Sequence, residues 1–387
     1  DQVLHIVPET FQQVQHLQLL CSTLLLDLWK PLLPEYIRVE EDLHIRVPAP
    51  LVQEVKDSLD QHMISYRYSL VLIPNVQQLV DQSMPRERSS HRQVREGYVY
   101  TKYHPMEEIY QWMTEIQKNN SELVTQHILG KTFENRTMYY LKISQPSNKP
   151  KKIIWMDCGI HAREWISPAF CQWFVKEILQ NYKSDAKIRR FLQNLDLYVL
   201  PVLNIDGYIY SWEKERLWRK NRSPYMNGAC YGTDLNRNFN SSWGSIGVSF
   251  NCSSDVFCGR GPESEPETRA VAQFIEGKKK DIVCYLTVHS YGQFILTPYG
   301  STTKPPSNNE ELMKVANKAA VALKGKYGTS YKVGSTALIL YSNSGSSRDW
   351  AHMIGIPLSY TFELRDNGTY GFLLPPDQIQ PTCEETM

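Results

Sequence analysis

The sequence predicts an α/β chain in two parts, a small βαββαβ module followed by a larger α/β domain. Three observations carry that expectation. Through about the first 73 residues, short extended runs alternate with helical periodicity in the order of such a module. The stretch Ser83 to Gly97 then breaks the pattern, with Arg86, Arg88, Arg92 and Arg95 set among serine, proline and glutamine. Beyond residue 98, apolar runs such as Ile153 to Met156 and Ile282 to Val288 stop abruptly at polar turns, and a helical pattern follows the first.

In the first part Val3 to Val7 reads as extended, Glu9 to Leu20 as helical, and Leu24 to Trp29 and Leu43 to Val47 as extended. Ala49 to His62 is helical and Tyr66 to Ile73 extended. This is the ferredoxin-like split βαβ order, a module able to fold by itself, expected over residues 1–82. A short amphipathic segment, Val76 to Val80, leads into a linker over residues 83–97. The linker is either a solvated basic loop or a cleavage site for a trypsin-like protease, since proteolysis concentrates in exposed polar loops between domains.

The larger domain is expected over residues 98–387. Pro105 opens a helix through Gln117, as proline is tolerated at the first helical position. Val124 to Leu129 and Met138 to Ile143 are extended, the Ile153 run is a buried strand, and Trp165 to Tyr182 is a helix. Leu195 to Leu203 is a further strand, followed by Asn204, Asp206 and Gly207 in a turn. Arg216 to Arg222 reads first as a solvated basic stretch, although its central Trp218 is unusual for one. Gly232 to Asn238 is too polar and too short for a core element, and nothing repeats at a fixed period.

Composition bounds the function. A chain of 387 residues at 42% hydrophobic buries a full core, and a net charge of +1 argues against a nucleic-acid or polybasic membrane partner. No apolar run approaches the ~18 residues of a spanning helix; Leu17 to Trp29 is interrupted by Gln18, Ser22, Thr23 and Asp27, so the chain as given is expected to be soluble. The chain lacks an initiator Met and a readable leader. Its six Asn-x-Ser/Thr sequons (Asn119, Asn135, Asn221, Asn240, Asn251, Asn367) suit a secreted protein whose leader has been removed. The eight cysteines form no Cys-x-x-Cys knuckle, and pairing in an oxidising compartment is the better reading.

His161 and Glu164 fall in the turn between the Ile153 strand and the helix from Trp165, at the carboxyl end of a strand, where open α/β sheets place ligands. An imidazole and a carboxylate so spaced close on one metal, and zinc accepts nitrogen and carboxylate oxygen at about 2.0 to 2.2 Å. The pair alone is weak evidence, because polar turn residues are more often solvated than metal-bound. Among His104, His127, His161, His289 and His352, only His289 repeats the strand-end setting of His161. Alone it reads as a satisfied half-buried histidine; with His161 and Glu164 it completes a two-His, one-carboxylate set. Glu363 interrupts the strand-like run Leu358 to Phe362 and is the candidate base for a zinc-activated water. The competing reading of Glu363 is a structural ion pair with Arg365, two residues on and on the same face.

Together these residues resemble the zinc metallocarboxypeptidase family to which carboxypeptidases A and B belong, in its proenzyme form. The likeness rests on His161 to Trp165 with Ser167 to Phe170, then Arg219, Asp234, Asn236, Arg237, His289 to Tyr291, Tyr341, and Phe362 to Asp366. It implies a mixed, mainly parallel sheet between helices, preceded by an inhibitory prodomain that covers the site until a trypsin-like protease cuts after Arg88, Arg92 or Arg95. It also implies one Zn2+ on His161, Glu164 and His289, with Glu363 as general base and Arg219 as stabiliser of the oxyanion. Asn236, Arg237 and Tyr341 would grip the terminal carboxylate of a peptide or protein, and Arg163 would line the neighbouring subsite. A guanidinium binds a carboxylate bidentately and keeps its charge, so Arg237 with the Asn236 amide would select a free C-terminus. The same resemblance pairs Cys158 with Cys171 and Cys230 with Cys252, and leaves Cys258 without the partner that relatives place near Gly244.

Arg348 occupies, by this resemblance, the base of the pocket for the terminal side chain. There an apolar residue accompanies apolar preference and an aspartate accompanies preference for Lys and Arg. A buried guanidinium predicts release of C-terminal Glu and Asp, unless Arg348 turns aside to pair with Asp349 or reaches solvent and leaves a small polar pocket lined by Ser346 and Thr361. Members of the family continue through a last helix, of which Cys383 to Met387 is the expected start, so that helix is expected to be missing. One branch carries a C-terminal signal for a lipid anchor, and membrane association of that kind would need a tail absent here. The expected protein is a secreted zymogen, or one anchored at the cell surface. A reading from another class is a catalytically silent peptide-binding relative; the presence of every chemical residue favours activity. A third has the missing helix leave the chain unable to fold stably.

Overall fold

A computed structural model describes residues 1–65, 71–73, 75–84 and 97–387. They fall into two compact units, Asp1–Met84 with Asp366–Pro375, and Pro85–Arg365 with Pro376–Met387. Arg86, Arg88, Arg92 and Arg95 of the expected linker lie outside the described residues, as does the start of the extended run from Tyr66.

The first unit runs β1 (Gln2–Ile6), α1 (Phe11–Thr23), β2 (Asp27–Lys30), β3 (Leu43–Val47), α2 (Val52–Gln61) and β4 (Val71–Ile73). The sheet order is β2-β3-β1-β4, antiparallel at each junction, which is the expected split βαβ arrangement. The Thr10 hydroxyl accepts the Gln13 N–H and caps α1. Val14, Leu17 and Cys21 of α1, with Val55 and Leu59 of α2, present stripes at helical spacing onto Leu4, Ile6, Leu43 and Ile45 of the sheet. The segment expected only as amphipathic is a helix, α3 (Val76–Ser83), capped by the Asn75 side chain.

The second unit contains α4 (Met106–Asn119), β5 (Val124–Lys131), β6 (Thr137–Ile143), β7 (Lys152–Cys158), α5 (Ile166–Asn181), α6 (Ala186–Asn194), β8 (Leu195–Leu200) and α7 (Ile205–Glu213). There follow the short pair β9 (Pro224–Tyr225) and β10 (Cys230–Tyr231), α8 (Pro266–Lys278), β11 (Ile282–Ser290), β12 (Phe294–Thr297), α9 (Asn309–Tyr327), β13 (Lys332–Ser335), α10 (Thr336–Ile339), α11 (Ser347–Met353), β14 (Leu358–Leu364) and α12 (Ile379–Thr386). The main sheet has eight strands in the order β13-β12-β14-β11-β7-β8-β6-β5. Its central pairings β14/β11, β11/β7 and β7/β8 are parallel, as is β12/β13, while β12/β14, β8/β6 and β6/β5 are antiparallel. Parallel neighbours end on the same side. The residues after β7, at the end of β11 and in β14 therefore meet at one edge, and the register sets His289 beside Glu363 and Val288 beside Cys158.

Several polar segments differ from the sequence expectation, and in each case a partner distant in the chain is the reason. β8 stops at Leu200, and Asn204 caps a helix where a turn was expected. Its Oδ1 accepts the Gly207 N–H at 3.0 Å while its Nδ2 donates to the Ile160 and Lys220 carbonyls. Gly207 sits in that helix because a Cβ there would lie 2.4 Å from the Lys220 oxygen. The basic stretch is buried, not solvated: Arg216, Arg219, Lys220 and Asn221 are all enclosed. Arg216 lies 3.6 Å over the Trp165 ring, and Lys220 donates to the Cys252 carbonyl at 2.5 Å. Gly232 to Asn238, expected outside the core, is buried throughout.

The Cys158–Cys171 and Cys230–Cys252 disulfides are formed and Cys258 is free, all as expected; Cys21, Cys284 and Cys383 are free as well, so the general expectation of pairing does not extend to them. Asn221 is enclosed with its amide on Glu265 and Glu267, which removes it as a glycan acceptor in the folded protein; the other five sequon asparagines are exposed. Arg365 does not hold Glu363: it binds the Glu385 carboxylate in α12, with Gln378 and Thr329 completing its donors. Cys383, the expected start of a last helix, lies inside α12. No helix among the described residues is long and apolar enough to cross a membrane.

Candidate active site

β7 ends at Cys158, and Gly159, at φ +66°, turns the chain out of the sheet. The Ser167 hydroxyl accepts the Gly159 N–H at 2.9 Å and donates to the Val288 carbonyl at 2.5 Å, so one side chain ties the turn, α5 and β11 together. The Cys158–Cys171 disulfide fixes the same strand end to the helix. His161 and Glu164 are held between these ties, and His289 stands across from them near the end of β11.

The three side chains converge. His161 Nδ1 lies 2.7 Å from Glu164 Oε1, His289 Nδ1 lies 3.2 Å from Glu164 Oε2, and the two Nδ1 atoms are 3.2 Å apart. A tetrahedral ion with 2.0–2.1 Å bonds to nitrogen separates its ligand atoms by about 3.3 Å, so the spacing of the two imidazoles suits zinc. All three are buried, and among the described residues they are the group of His, Cys, Asp or Glu side chains placed to hold a metal. The ring atoms facing away are also engaged. His161 Nε2 is 3.1 Å from Asp234 Oδ1 and His289 Nε2 is 3.2 Å from the Thr287 hydroxyl, which orients both rings with Nδ1 inward. Burial alone would raise the Glu164 carboxyl, but the His161 and His289 rings outweigh it and hold the group below the usual carboxylate range.

Asp234 is the organising carboxylate behind this set, and the sequence reading named it only as part of a motif. Its Oδ2 accepts Arg219 Nε at 3.0 Å and Nη2 at 2.8 Å; its Oδ1 accepts the Asn236 N–H at 2.9 Å besides facing His161. Burial opposes its ionisation, yet Arg219 and then His161 hold it well below the usual carboxylate range. Arg219 Nη1 is left 3.8 Å from Glu164 Oε1, so the guanidinium lies beside the metal ligands.

Glu363 lies in β14, half-buried, beside His289 in register. Burial and then the Glu164 carboxylate push it well above the usual range, with His161, Arg219 and Arg348 acting in the opposite sense. A divalent cation held at Glu164 would offset that rise. Asn236 and Arg237 are buried in the turn after Asp234; Asn236 Oδ1 accepts the Ser347 N–H, and Arg237 donates to the Gly247 and Asn236 carbonyls. Tyr341 is half-buried and within electrostatic reach of Arg237, Arg219 and Glu363. Gly345 makes this packing possible: at φ +74°, a Cβ would lie 2.2 Å from the Arg237 oxygen. Arg163 is buried, with its Nη1 facing the Leu217 carbonyl at 3.4 Å and Asp255 Oδ2 at 3.2 Å.

Arg348 is buried at the start of α11. Its Nε and Nη2 donate to Asp349 Oδ1 at 3.0 and 2.8 Å, its Nη1 to Thr361 Oγ1 at 3.2 Å, and its Nη2 faces Ser346 Oγ at 3.4 Å. The pairing with Asp349 weighed against acidic preference is therefore present, and so are the hydroxyls of the polar pocket.

Fold and site define a zinc-dependent peptidase of the carboxypeptidase type. Residues 109–387 match the family described as zinc carboxypeptidase, and residues 4–83 match the carboxypeptidase activation peptide. The chain belongs to the zinc carboxypeptidase family. It is 71% identical to carboxypeptidase O of Homo sapiens over 76% of this chain and 78% of that protein, and 45% identical to carboxypeptidase B of Bos taurus over 100% and 91%. Among solved structures, thrombin activatable fibrinolysis inhibitor superposes with a TM-score of 0.93 at 42% identity over 99% of this chain and 95% of that one. Carboxypeptidase A from Helicoverpa armigera superposes at 0.85 with 29% identity, over 100% and 94%. The chain is thus a metallocarboxypeptidase with an activation peptide, acting on peptide C-termini with zinc as its cofactor.

Proposed function

We propose that this zymogen, once activated, releases C-terminal Glu and Asp from peptides and proteins. The observation that carries the reading is the buried Arg348 guanidinium, whose Nη1 and Nη2, among the described residues, meet the Thr361 and Ser346 hydroxyls beyond Asp349. In this reading Asn236, Arg237 and Tyr341 hold the terminal carboxylate, and Arg163 lines the neighbouring subsite. His161, Glu164 and His289 would hold the zinc, which when bound would supply Lewis acidity and lower the pKa of a water to about 7. Glu363 accepts the proton of the attacking water and hands it to the leaving amine nitrogen. Arg219, fixed by Asp234, donates to the carbonyl oxygen as that oxygen gains charge, which favours the transition state over bound substrate.

The first unit is proposed to act as an inhibitory prodomain, a role its match to an activation peptide supports. Trypsin treatment with N-terminal sequencing is expected to show cleavage after Arg88, Arg92 or Arg95 together with the onset of activity; full activity before cleavage refutes inhibition. Secretion is the compartment that two disulfides suit. Substrate preference is tested by kcat/KM on matched peptides ending in Glu, Phe and Lys, for the activated enzyme and for Arg348→Ile. Glu is expected first, with its advantage lost in the variant; a parent enzyme that favours Phe over Glu refutes the reading.

A further inference from the structure

The geometry around Arg348 points to a second specificity determinant, Asp349, and this inference rests on Arg348 forming the base of the side-chain pocket. A guanidinium offers five N–H donors along its edges. The edge formed by Nε and Nη2 is taken by Asp349 Oδ1, at 3.0 and 2.8 Å. Asp349 is itself fixed: its Oδ2 accepts the Gly300 N–H at 2.7 Å, its own N–H faces Ser346 Oγ at 3.4 Å, and it is wholly buried. Among the described residues the other edge, Nη1 with the second N–H of Nη2, meets hydroxyls, Thr361 at 3.2 Å and Ser346 at 3.4 Å. Hydroxyls rotate, and a carboxylate displaces them as acceptors because charge-assisted bonds are the stronger.

We infer that Asp349 is a resident counter-ion that shares Arg348 with the terminal side chain of the substrate, and that it limits how strongly the pocket prefers an acidic end. A buried guanidinium without a partner is costly, so the resident carboxylate keeps the empty pocket stable. The same carboxylate opposes an incoming one. Two carboxylates on opposite edges of one guanidinium stand on the order of 6 Å apart, where repulsion at an effective dielectric near 20 weakens binding on the order of 100-fold. Against this, Asp349 orients Arg348, and immobilising such a side chain in advance is worth up to about tenfold. The repulsion is the larger effect. Removing the Asp349 charge therefore sharpens acidic preference by about tenfold.

The experiment compares kcat/KM for matched peptides ending in Glu and in Gln, which differ in charge but not shape, using the trypsin-activated full chain. Asp349→Asn is expected to raise the Glu-to-Gln ratio about tenfold, chiefly through a lower KM for Glu, while lowering the thermal midpoint. Asp349→Ser, whose hydroxyl leaves an acceptor near Gly300, serves the same purpose if the amide disturbs folding. A purely structural role lowers both substrates alike, so an unchanged or reduced ratio in these variants overturns the inference. Arg348→Ile separates the two layers. If it abolishes the ratio while Asp349 variants leave it unchanged, Asp349 is not a determinant and the pocket reading stands; if it leaves the ratio intact, the pocket reading fails and this inference with it.

Discussion

Asp234→Asn perturbs the group that contacts a metal-binding histidine, the proposed oxyanion stabiliser and the proposed carboxylate clamp. The parent carboxylate accepts four donors: His161 Nε2 at 3.1 Å and the Asn236 N–H at 2.9 Å on Oδ1, and Arg219 Nε at 3.0 Å and Nη2 at 2.8 Å on Oδ2. An amide has one acceptor end. If its oxygen stays with His161 and Asn236, its NH2 faces the Arg219 guanidinium; if it turns, the NH2 faces His161. In either arrangement the buried Arg219 charge loses its counter-ion, and the carboxylate it next approaches is Glu164 at 3.8 Å, a zinc ligand. Removing one partner of a buried pair costs about 3–5 kcal/mol. Loss of the outer partner of a metal-binding histidine weakens metal affinity about 10–100-fold. Misplacing the group that meets the oxyanion lowers kcat about 10²–10³-fold. Chelator competition for zinc, denaturant unfolding and peptide hydrolysis measure the three effects on one preparation. Zinc affinity within about twofold of the parent, with turnover intact, refutes the supporting role assigned to Asp234.

Glu363→Gln is expected to keep zinc and lose about 10²–10⁴ in kcat, because the proton carrier and not the metal is removed; metal analysis beside turnover checks it. Gly345→Ala drives a Cβ to 2.2 Å from the Arg237 oxygen at φ +74°, so it should destabilise the fold by about 2–4 kcal/mol and raise KM; unaltered urea unfolding and KM contradict the close approach. In the first unit, burial pushes the His44 pKa down to about 3 from the ordinary 6.5, with Lys30 and His5 adding to the effect. The native state therefore binds fewer protons than the unfolded one below pH 6.5, and stability present above that value is lost as pH falls toward about 3, by up to ~1.4 kcal/mol per pH unit. The opening free energy of the first unit in the zymogen, from hydrogen exchange corrected for the intrinsic rate at each pH, should fall on acidification from about pH 6.5 to 5, and His44→Phe should flatten that slope; a pH-independent opening free energy in the parent refutes it.

The parts legible in the sequence are those whose signal is local. The βαββαβ order, the strand ends at His161 and His289 and the carboxylate at Glu363 all follow from where an apolar run stops or is interrupted, and the parallel register then brings them to one edge. The parts not legible are polar segments that are buried. Arg216 to Arg222 and Gly232 to Asn238 carry the composition of solvated loops, yet they are largely enclosed, because Arg219 meets a carboxylate, Arg216 a ring and Lys220 a backbone carbonyl from elsewhere in the chain. Arg219 finds Asp234 15 residues away, and Asp234 finds His161 73 residues away. Hydropathy cannot reveal that arrangement, since it scores each residue without its counter-ion. The hint available was Trp218, a large aromatic amid basic residues, which lies under the Arg222 guanidinium at 4.6 Å.

Arg348 shows the same limit in its narrowest form. Asp349 is the next residue, so the sequence made an ion pair foreseeable, and foreseen in that way the pair argued against an acidic pocket. Adjacency says nothing about which edge of the guanidinium is used. The structure places both Asp349 contacts on the Nε and Nη2 edge and hydroxyls on the other, so neutralisation by Asp349 and recognition of a second carboxylate are compatible. That compatibility also explains how a charged group can sit in a pocket that is empty for part of every catalytic cycle. An uncompensated buried guanidinium is costly, and Asp349 supplies the counter-charge while the pocket is empty. A resident counter-ion at Asp349 does so at the expense of affinity for the acidic substrate that Arg348 is proposed to recognise.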